Sequence, residues 1–413
     1  MHEFYKDHRR SARLQVGPLG PHLASYARQL KDQRYARPVA CERIRLVADF
    51  SGWLDQHGVT ASGLTPQHVE QFLRDRVQLG YRRRRGEAAA LAHMLELLRQ
   101  QAIIIESSAP VVLSPAECVQ AEFDHYLERE RGVTFSTRAH YGTFVGRLLT
   151  ERFGTNPVEW SCLTADDVTA FVHRHAARFQ TKTSQLMTTA LRVFLRFARQ
   201  RGYVTMDLAS AVPSVAHWSL STVPRSITPD QVQRVLASCD TQTAVGRRDL
   251  AILLLLSRLG LRGGEVAALT LDDIDWAAGR LTIHGKGGRI SQFPLPTDVG
   301  TALADYLQHD RPSGTSCRRV FMRGPAPAVG FKGQCAVGDV ARRALRRAGI
   351  ASARKGAHLF RHSVATQMLR HGASLAEIGE LLRHRSPRTT AIYAKVDLAA
   401  LRTLAVAWPG GAQ

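Results

Sequence analysis

"RRDLAILLLLSRLGLRGGEVAALTLDDIDW", residues 247–276, joins a continuous apolar run to a glycine-marked break and a second, shorter apolar stretch. It reads as a buried helix stopped at Gly260, then a second helix ending before a short strand at Ile274 to Trp276. The next segment, "GRLTIHGKGGRISQFPLP" (279–296), alternates Leu281 and Ile283, turns through glycines, and returns with Phe293 and Leu295. That pattern is a β-hairpin with Lys286 at its tip. From about Gly338 to Ala407 the pattern is helical again. The C-terminal part is therefore mostly α with one small antiparallel sheet.

Upstream, two stretches repeat. "ASYARQLKDQR" (24–34) resembles "AEFDHYLERER" (121–131), 97 residues on, and "LTPQHVEQFL" (64–73) resembles "LTADDVTAFV" (163–172), 99 residues on. Each copy continues into a basic loop, the first carrying the run Arg82 to Arg85, and then an apolar helix. Two related helical domains in tandem follow from this. Thr65-Pro66, Ser114-Pro115 and Thr228-Pro229 mark helix starts, with Glu117 and Gln231 completing capping boxes. Boundaries fall in "ESSAPVVLSP" and "AVPSVAHWSLSTVPRS", which gives domains at 1–110, 111–217 and 218–413.

With 56 Lys and Arg against 35 Asp and Glu, the 413-residue chain carries a formal charge of +21 and points to a polyanionic partner. Nucleic acid leads and an anionic membrane surface is the rival. No stretch of about 18 apolar residues is present and the charged N-terminus lacks an apolar signal core, so a soluble, cytoplasmic protein without membrane contact is expected. Six cysteines lie far apart without C-x-x-C spacing, as free thiols in a reducing compartment do.

In the second domain, Leu186, Ala190, Val193, Phe194 and Phe197 form one apolar stripe, while Arg192, Arg196 and Arg199 share another face. From Arg178 to Arg201 there are six basic residues and no acidic one. A solvated face is the plain alternative; the missing counter-charges favour Arg178, Lys182, Arg192, Arg196 and Arg199 as contacts to a DNA backbone.

"HLFRH" (358–362) admits three readings: a metal site from His358 and His362 at i and i+4, histidines packed within the fold, or an anion clamp. A cation is disfavoured by Arg361 and Arg370 nearby, so no metal is expected. One histidine, His362, can hydrogen-bond within the fold, while His358 and Arg361, three apart, can both present N–H donors to an anion. Downstream, "LLRHRSPRTTAIYAKVD" (381–397) adds His384 and Tyr393. A phenol with an ordinary pKa of about 10 is a poor nucleophile at neutral pH. Cationic neighbours would help it and would stabilise a phosphate gaining charge.

In Arg262 of "LGLRGGEVAAL", Lys286 of "HGKGGRISQFPLP", His358 and Arg361 of "HLFRHSVATQML", His384 of "LLRHRS" and Tyr393 of "TTAIYAKV", the chain resembles the tyrosine recombinases, or phage integrase family. The resemblance covers about 225–407, and 114–212 as the family's helical core-binding domain. It implies a mainly α fold, with helical N-terminal DNA-binding domains before a mixed α+β catalytic domain. Two departures stand out: Arg383 replaces a frequent glycine, and Phe360 a frequent leucine.

The resemblance implies that Tyr393 attacks a scissile phosphate in double-stranded DNA, giving a 3′-phosphotyrosyl link and a free 5′-hydroxyl. Arg262 and Arg361 would clamp the non-bridging oxygens, Lys286 would protonate the leaving oxygen, His358 would assist proton transfer from the tyrosine, and His384 would bond the phosphate. Glu265, one helical turn from Arg262, would hold that arginine. No cofactor is implied. Strand exchange implies a homotetramer on paired sites, or a mixed assembly with related recombinases. The tail residues Leu398, Leu401, Leu404 and Trp408 form a helix face for a neighbouring protomer or for its own domain. The extra N-terminal domain suits integration or excision of a mobile element. A type IB topoisomerase-like enzyme and a catalytically idle accessory protein are the alternatives.

Overall fold

The computed structural model describes residues 4–5, 13–84, 86–104, 113–216, 223–285, 288–313, 315–324, 326–352, 356–396 and 401–402. Lys286, Arg85 and the tail positions Leu398, Leu404 and Trp408 lie outside the described residues. The fold is mainly α with a small antiparallel sheet. Described residues before 107 group with those after 221 into one compact unit, and those between form a second.

The N-terminal part has four helices: α1 (Leu23–Asp32), α2 (Arg37–Gln56), α3 (Pro66–Gln78) and α4 (Glu87–Gln100). They close a core of their own around Tyr26, Ile44, Phe50, Phe72, Leu91 and Met94. The second unit also has four: α5 (Pro115–Arg129), α6 (Phe135–Phe153), α7 (Ala165–Ala176) and α8 (Thr181–Gln200). In both sets the first helix packs on the second, the second on the fourth, and the third on the fourth. From Arg37 to Phe135 is 98 residues and from Pro66 to Ala165 is 99, matching the sequence repeat. Capping is as the sequence specifies: Ser114 and Glu117 satisfy each other's backbone N–H groups at 2.8 and 3.3 Å, and Thr228 and Gln231 do so at 3.0 and 3.2 Å.

On α8 the buried face is centred on Met187, Leu191, Phe194, Leu195 and Ala198, with Ala190 and Phe197 beside them, while Leu186 and Val193 lie at its half-buried edge. The expected stripe is thus displaced by part of a turn, because a core-facing helix buries more than 100° of its circumference. The polar face differs from expectation too. Arg192 donates to the carbonyls of Val212 (2.9 Å) and Pro213 (3.1 Å), fastening the chain that follows α8. Arg201 pairs with Glu122 of α5 and with Glu130 at its C-terminal cap, so counter-charge missing locally comes from another part of the unit. Arg178, Lys182, Arg196 and Arg199 are exposed.

The C-terminal part comprises α9 (Pro229–Ala237), α10 (Ala244–Arg258), α11 (Gly263–Ala268), strands β1 (Ile274–Asp275), β2 (Arg280–His284) and β3 (Ile290–Pro294), then α12 (Thr297–His309), α13 (Gln334–Arg347), α14 (Ala357–Arg370), α15 (Leu375–Leu381) and α16 (Pro387–Thr390). Helix α10 is the central element: Ala251–Leu256 are all buried, and α9, α12, α13 and α14 surround it. The sheet is antiparallel in the order β1-β2-β3, with Leu281 opposite Phe293. Strand β1 stops at Asp275, leaving Trp276 exposed. The expected helical run after 338 is interrupted: Gly349 and Gly372 adopt positive φ, Ser386-Pro387 restarts the chain, and Ala391–Val396 is a 3-10 turn.

Helix α14 spans two cores. Leu359 and Phe360 belong to the main one, whereas Ala365 joins Ile378, Leu382 and Tyr393 in a small second cluster. The six cysteines are unbridged, and no described helix is long and apolar enough to cross a membrane.

Candidate active site

Arg262 caps the N-terminus of α11, and Glu265 lies three residues into that helix. The two join through both backbone and side chain: Arg262 N–H donates to Glu265 Oε2 and Arg262 Nη1 to Glu265 Oε1, each at 2.8 Å. The carboxylate is buried, so its charge is worth more to its partners than a surface pair's would be. It also accepts Arg383 Nη2 at 2.7 Å, and Arg262 Nη2 reaches the Arg383 carbonyl at 3.3 Å. One carboxylate therefore anchors two guanidiniums. Arg262 remains about one-third exposed, so it can also face a ligand.

Arg361, on α14, is 3% exposed. Its Nη1 donates to the carbonyl of Gly260 at 2.6 Å and its Nη2 to that of Leu382. Gly260 has φ +58°, and a Cβ there would meet Leu382 Cδ2 at 2.9 Å, so a larger residue in the turn between α10 and α11 would strain the backbone and press on the end of α15. Burial, with Arg262 nearby, lowers the Arg361 pKa to about 10, which leaves it charged at neutral pH.

Helix α15 ends in a Schellman turn: Arg383 N–H donates to Glu380 O and His384 N–H to Gly379 O, both at 2.9 Å. The left-handed position, φ +53°, is occupied by Arg383, a conformation costing a non-glycine residue on the order of 1 kcal/mol. Its guanidinium lies 4.7 Å over the Phe293 ring of β3. Its Nε and Nη1 are buried with no hydrogen-bond partner among the described residues.

This turn sets His384, whose Nδ1 lies 2.7 Å from Thr390 Oγ1. Burial, then Arg361 and Arg262, lower its pKa to about 4, so the ring is neutral at pH 7. The tautomer whose Nδ1 accepts from the threonine hydroxyl leaves Nε2–H as a donor.

Tyr393 sits in the 3-10 turn with its ring in the small cluster, 1% exposed, parallel to the His384 ring and 6.4 Å from it between centroids. Burial raises its pKa to about 12, against the lowering effect of Arg361. Proton transfer from this hydroxyl was expected to fall to His358. The hydrogen bond to it, at 2.9 Å, is made by His362 Nδ1. His358 is exposed on α14, one turn earlier, its ring 6.5 Å from that of His362. Sequence spacing assigned His362 a hydrogen bond within the fold without its partner, and nothing in the sequence singled out Thr390.

Arg262, Arg383, His384 and Thr390 share a cleft of about 960 Å³ with Arg289 and Ile290 of the hairpin. The hairpin brackets position 286, which is itself outside the described residues. No group of three or more His, Cys, Asp or Glu among the described residues could hold a metal ion.

Residues 225–399 match the Phage integrase family, and residues 121–202 match the Phage integrase, N-terminal SAM-like domain. A Sinorhizobium fredii protein named as an integrase/recombinase, y4rA, is 47% identical over 96% of each chain. The tyrosine recombinase XerD of Lacticaseibacillus casei is 31% identical over 66% of this chain and 92% of its own. Among solved structures, the XerH site-specific recombinase bound to palindromic difH substrate aligns with TM-score 0.55 at 17% identity, over 82% of this chain and 94% of that one. The Tn1549 transposon integrase in complex with transposon right end DNA aligns at 0.52 and 15%, over 70% and 99%. At these identities the structural likeness is one of fold.

Proposed function

Because this chain belongs to the phage integrase family and is a tyrosine site-specific recombinase, we propose that it cuts and rejoins double-stranded DNA through a 3′-phosphotyrosyl intermediate on Tyr393, in the integration or excision of a mobile element. The observation that carries this reading is the grouping of Arg262, Arg361, His384 and Tyr393 from four separate elements around one site.

Tyr393 attacks the scissile phosphorus. Its proton passes to His362 Nδ1, the base already bonded to it. A bond forms from the phenolic oxygen to phosphorus, the bond to the 5′ oxygen breaks, and that oxygen takes a proton from Lys286. His358 faces solvent one turn away and contacts the phosphate. Arg262, Arg361 and the Nε2–H of His384 stabilise the non-bridging oxygens as charge builds. The phosphotyrosyl ester keeps the energy of the broken linkage, so a 5′-hydroxyl from a second duplex reverses the step without nucleotide hydrolysis.

Pairing of sites calls for a homotetramer or a mixed assembly of related chains. Arg178, Lys182, Arg196 and Arg199 follow the DNA backbone from the second unit. Names of the relatives support the mobile-element reading, as does the transposon integrase among the structures of like fold.

The test is to incubate the chain, in EDTA, with labelled DNA from the junctions flanking its own gene, nicked near candidate sites. A covalent adduct absent with Tyr393→Phe is expected. Sequence-specific binding without any adduct would overturn the catalytic reading in favour of an accessory role. Product that forms from a single site without strand exchange would favour topoisomerase-like relaxation.

A further inference from the structure

Arg383 lines the cleft and has no role in the reaction just described. Its backbone occupies the left-handed position of a Schellman turn, where glycine is free of strain. The side chain does not run out to solvent. It turns inward to Glu265 Oε2 at 2.7 Å and covers the Phe293 ring at 4.7 Å, while its carbonyl receives Arg262 Nη2 at 3.3 Å. Side chain and main chain thus converge on Arg262 from two sides, and Phe293 ties the same residue to the hairpin strand.

Charge makes the arrangement purposeful. Glu265 alone would neutralise the arginine it orients and leave Arg361 as the only net cation of the pair. With Arg383 on the same carboxylate, the group of three arginines and one glutamate keeps two net positive charges. A phosphodiester carries one negative charge and gains a second as the entering oxygen bonds to phosphorus.

We propose that Arg383 is a positioning residue of the phosphate clamp, sharing the Glu265 carboxylate with Arg262 so that Arg262 is held in place without being neutralised. The proposal rests on the phosphotyrosyl reading above.

Three variants of the full chain test it on the nicked substrate: Arg383→Gly, which relieves the backbone; Arg383→Met, which keeps the length and the cover over Phe293 but not the charge; and Arg383→Lys, which keeps the charge. Expected for Arg383→Gly is an unchanged or higher melting temperature, DNA affinity within about twofold, and covalent-adduct formation at saturating DNA slowed roughly 10- to 100-fold. Arg383→Met is expected to be as slow, and Arg383→Lys to recover most of the rate. Wild-type rates in Arg383→Gly, or in Arg383→Met, would overturn the proposal, the latter by reducing the residue to packing. A wild-type chain that forms no Tyr393-dependent adduct would instead overturn the reading beneath it, and the proposal with it.

Discussion

Replacing Glu265 by glutamine keeps its shape and removes its charge, and the geometry sets the consequence. Today Oε1 accepts Arg262 Nη1, while Oε2 accepts both the Arg262 N–H and Arg383 Nη2. A glutamine offers one carbonyl oxygen, so its amide N–H₂ must face one of these donors whichever way it is turned. At least one charge-assisted bond is lost and a buried guanidinium is left uncompensated, a cost of about 3 kcal/mol. For a domain of this size that is a fall in melting temperature of roughly 6–10 °C. In an Arg383→Gly background the second guanidinium is gone, the carbonyl can turn to Arg262, and only the helix-capping bond suffers, about 1 kcal/mol. A double-mutant cycle by calorimetry is therefore expected to give a coupling of about 2 kcal/mol. Additivity within about 0.5 kcal/mol would refute the idea that one carboxylate holds both arginines.

His384 predicts a pH dependence. Its folded pKa, about 4, lies below the ordinary value of about 6.5, so the unfolded chain binds a proton that the folded chain refuses. Its contribution is full above pH 6.5 and is lost as pH falls toward 4; discounted for a half-exposed ring, that is ~1–2 kcal/mol, which urea titrations would resolve and His384→Gln would flatten. Arg361→Lys removes a fork serving two carbonyls at once, and is expected to cost about 2 kcal/mol of stability and at least about 100-fold in adduct formation. Arg196→Ala should lower the slope of log affinity against log salt by about one unit, whereas Arg192→Ala should leave that slope unchanged and lower thermal stability by about 1 kcal/mol.

The helix order was legible because local chemistry dictates it. Ser114, Thr228 and their partners three residues on announce helix starts whatever the rest of the chain does. The apolar run through Leu254 can be nothing but buried, and alternating Leu281 and Ile283 fix the hairpin. What the sequence could not convey is pairing across distance. Glu130 and Arg201 are 71 residues apart, so a helix face read as uncompensated has its counter-charge elsewhere. The choice of His362 over His358 beside Tyr393 depends on where along α14 the 3-10 turn packs, since the two histidines share a face and differ by one turn, about 6 Å along the axis. Arg383 was visible as an oddity, but its carboxylate partner, 118 positions earlier, was not.

Tyr393 completes a cluster of four buried side chains as well as carrying the hydroxyl. While it does so, its hydroxyl is buried with the ring and bonded to His362 Nδ1. If Tyr393 is the nucleophile proposed above, reaching a phosphate would first cost the release of a ring whose burial in the 3-10 turn is worth about 2 kcal/mol. On that proposal, the burial that makes this tyrosine look like an ordinary core residue would also withhold its hydroxyl from DNA until the turn opens.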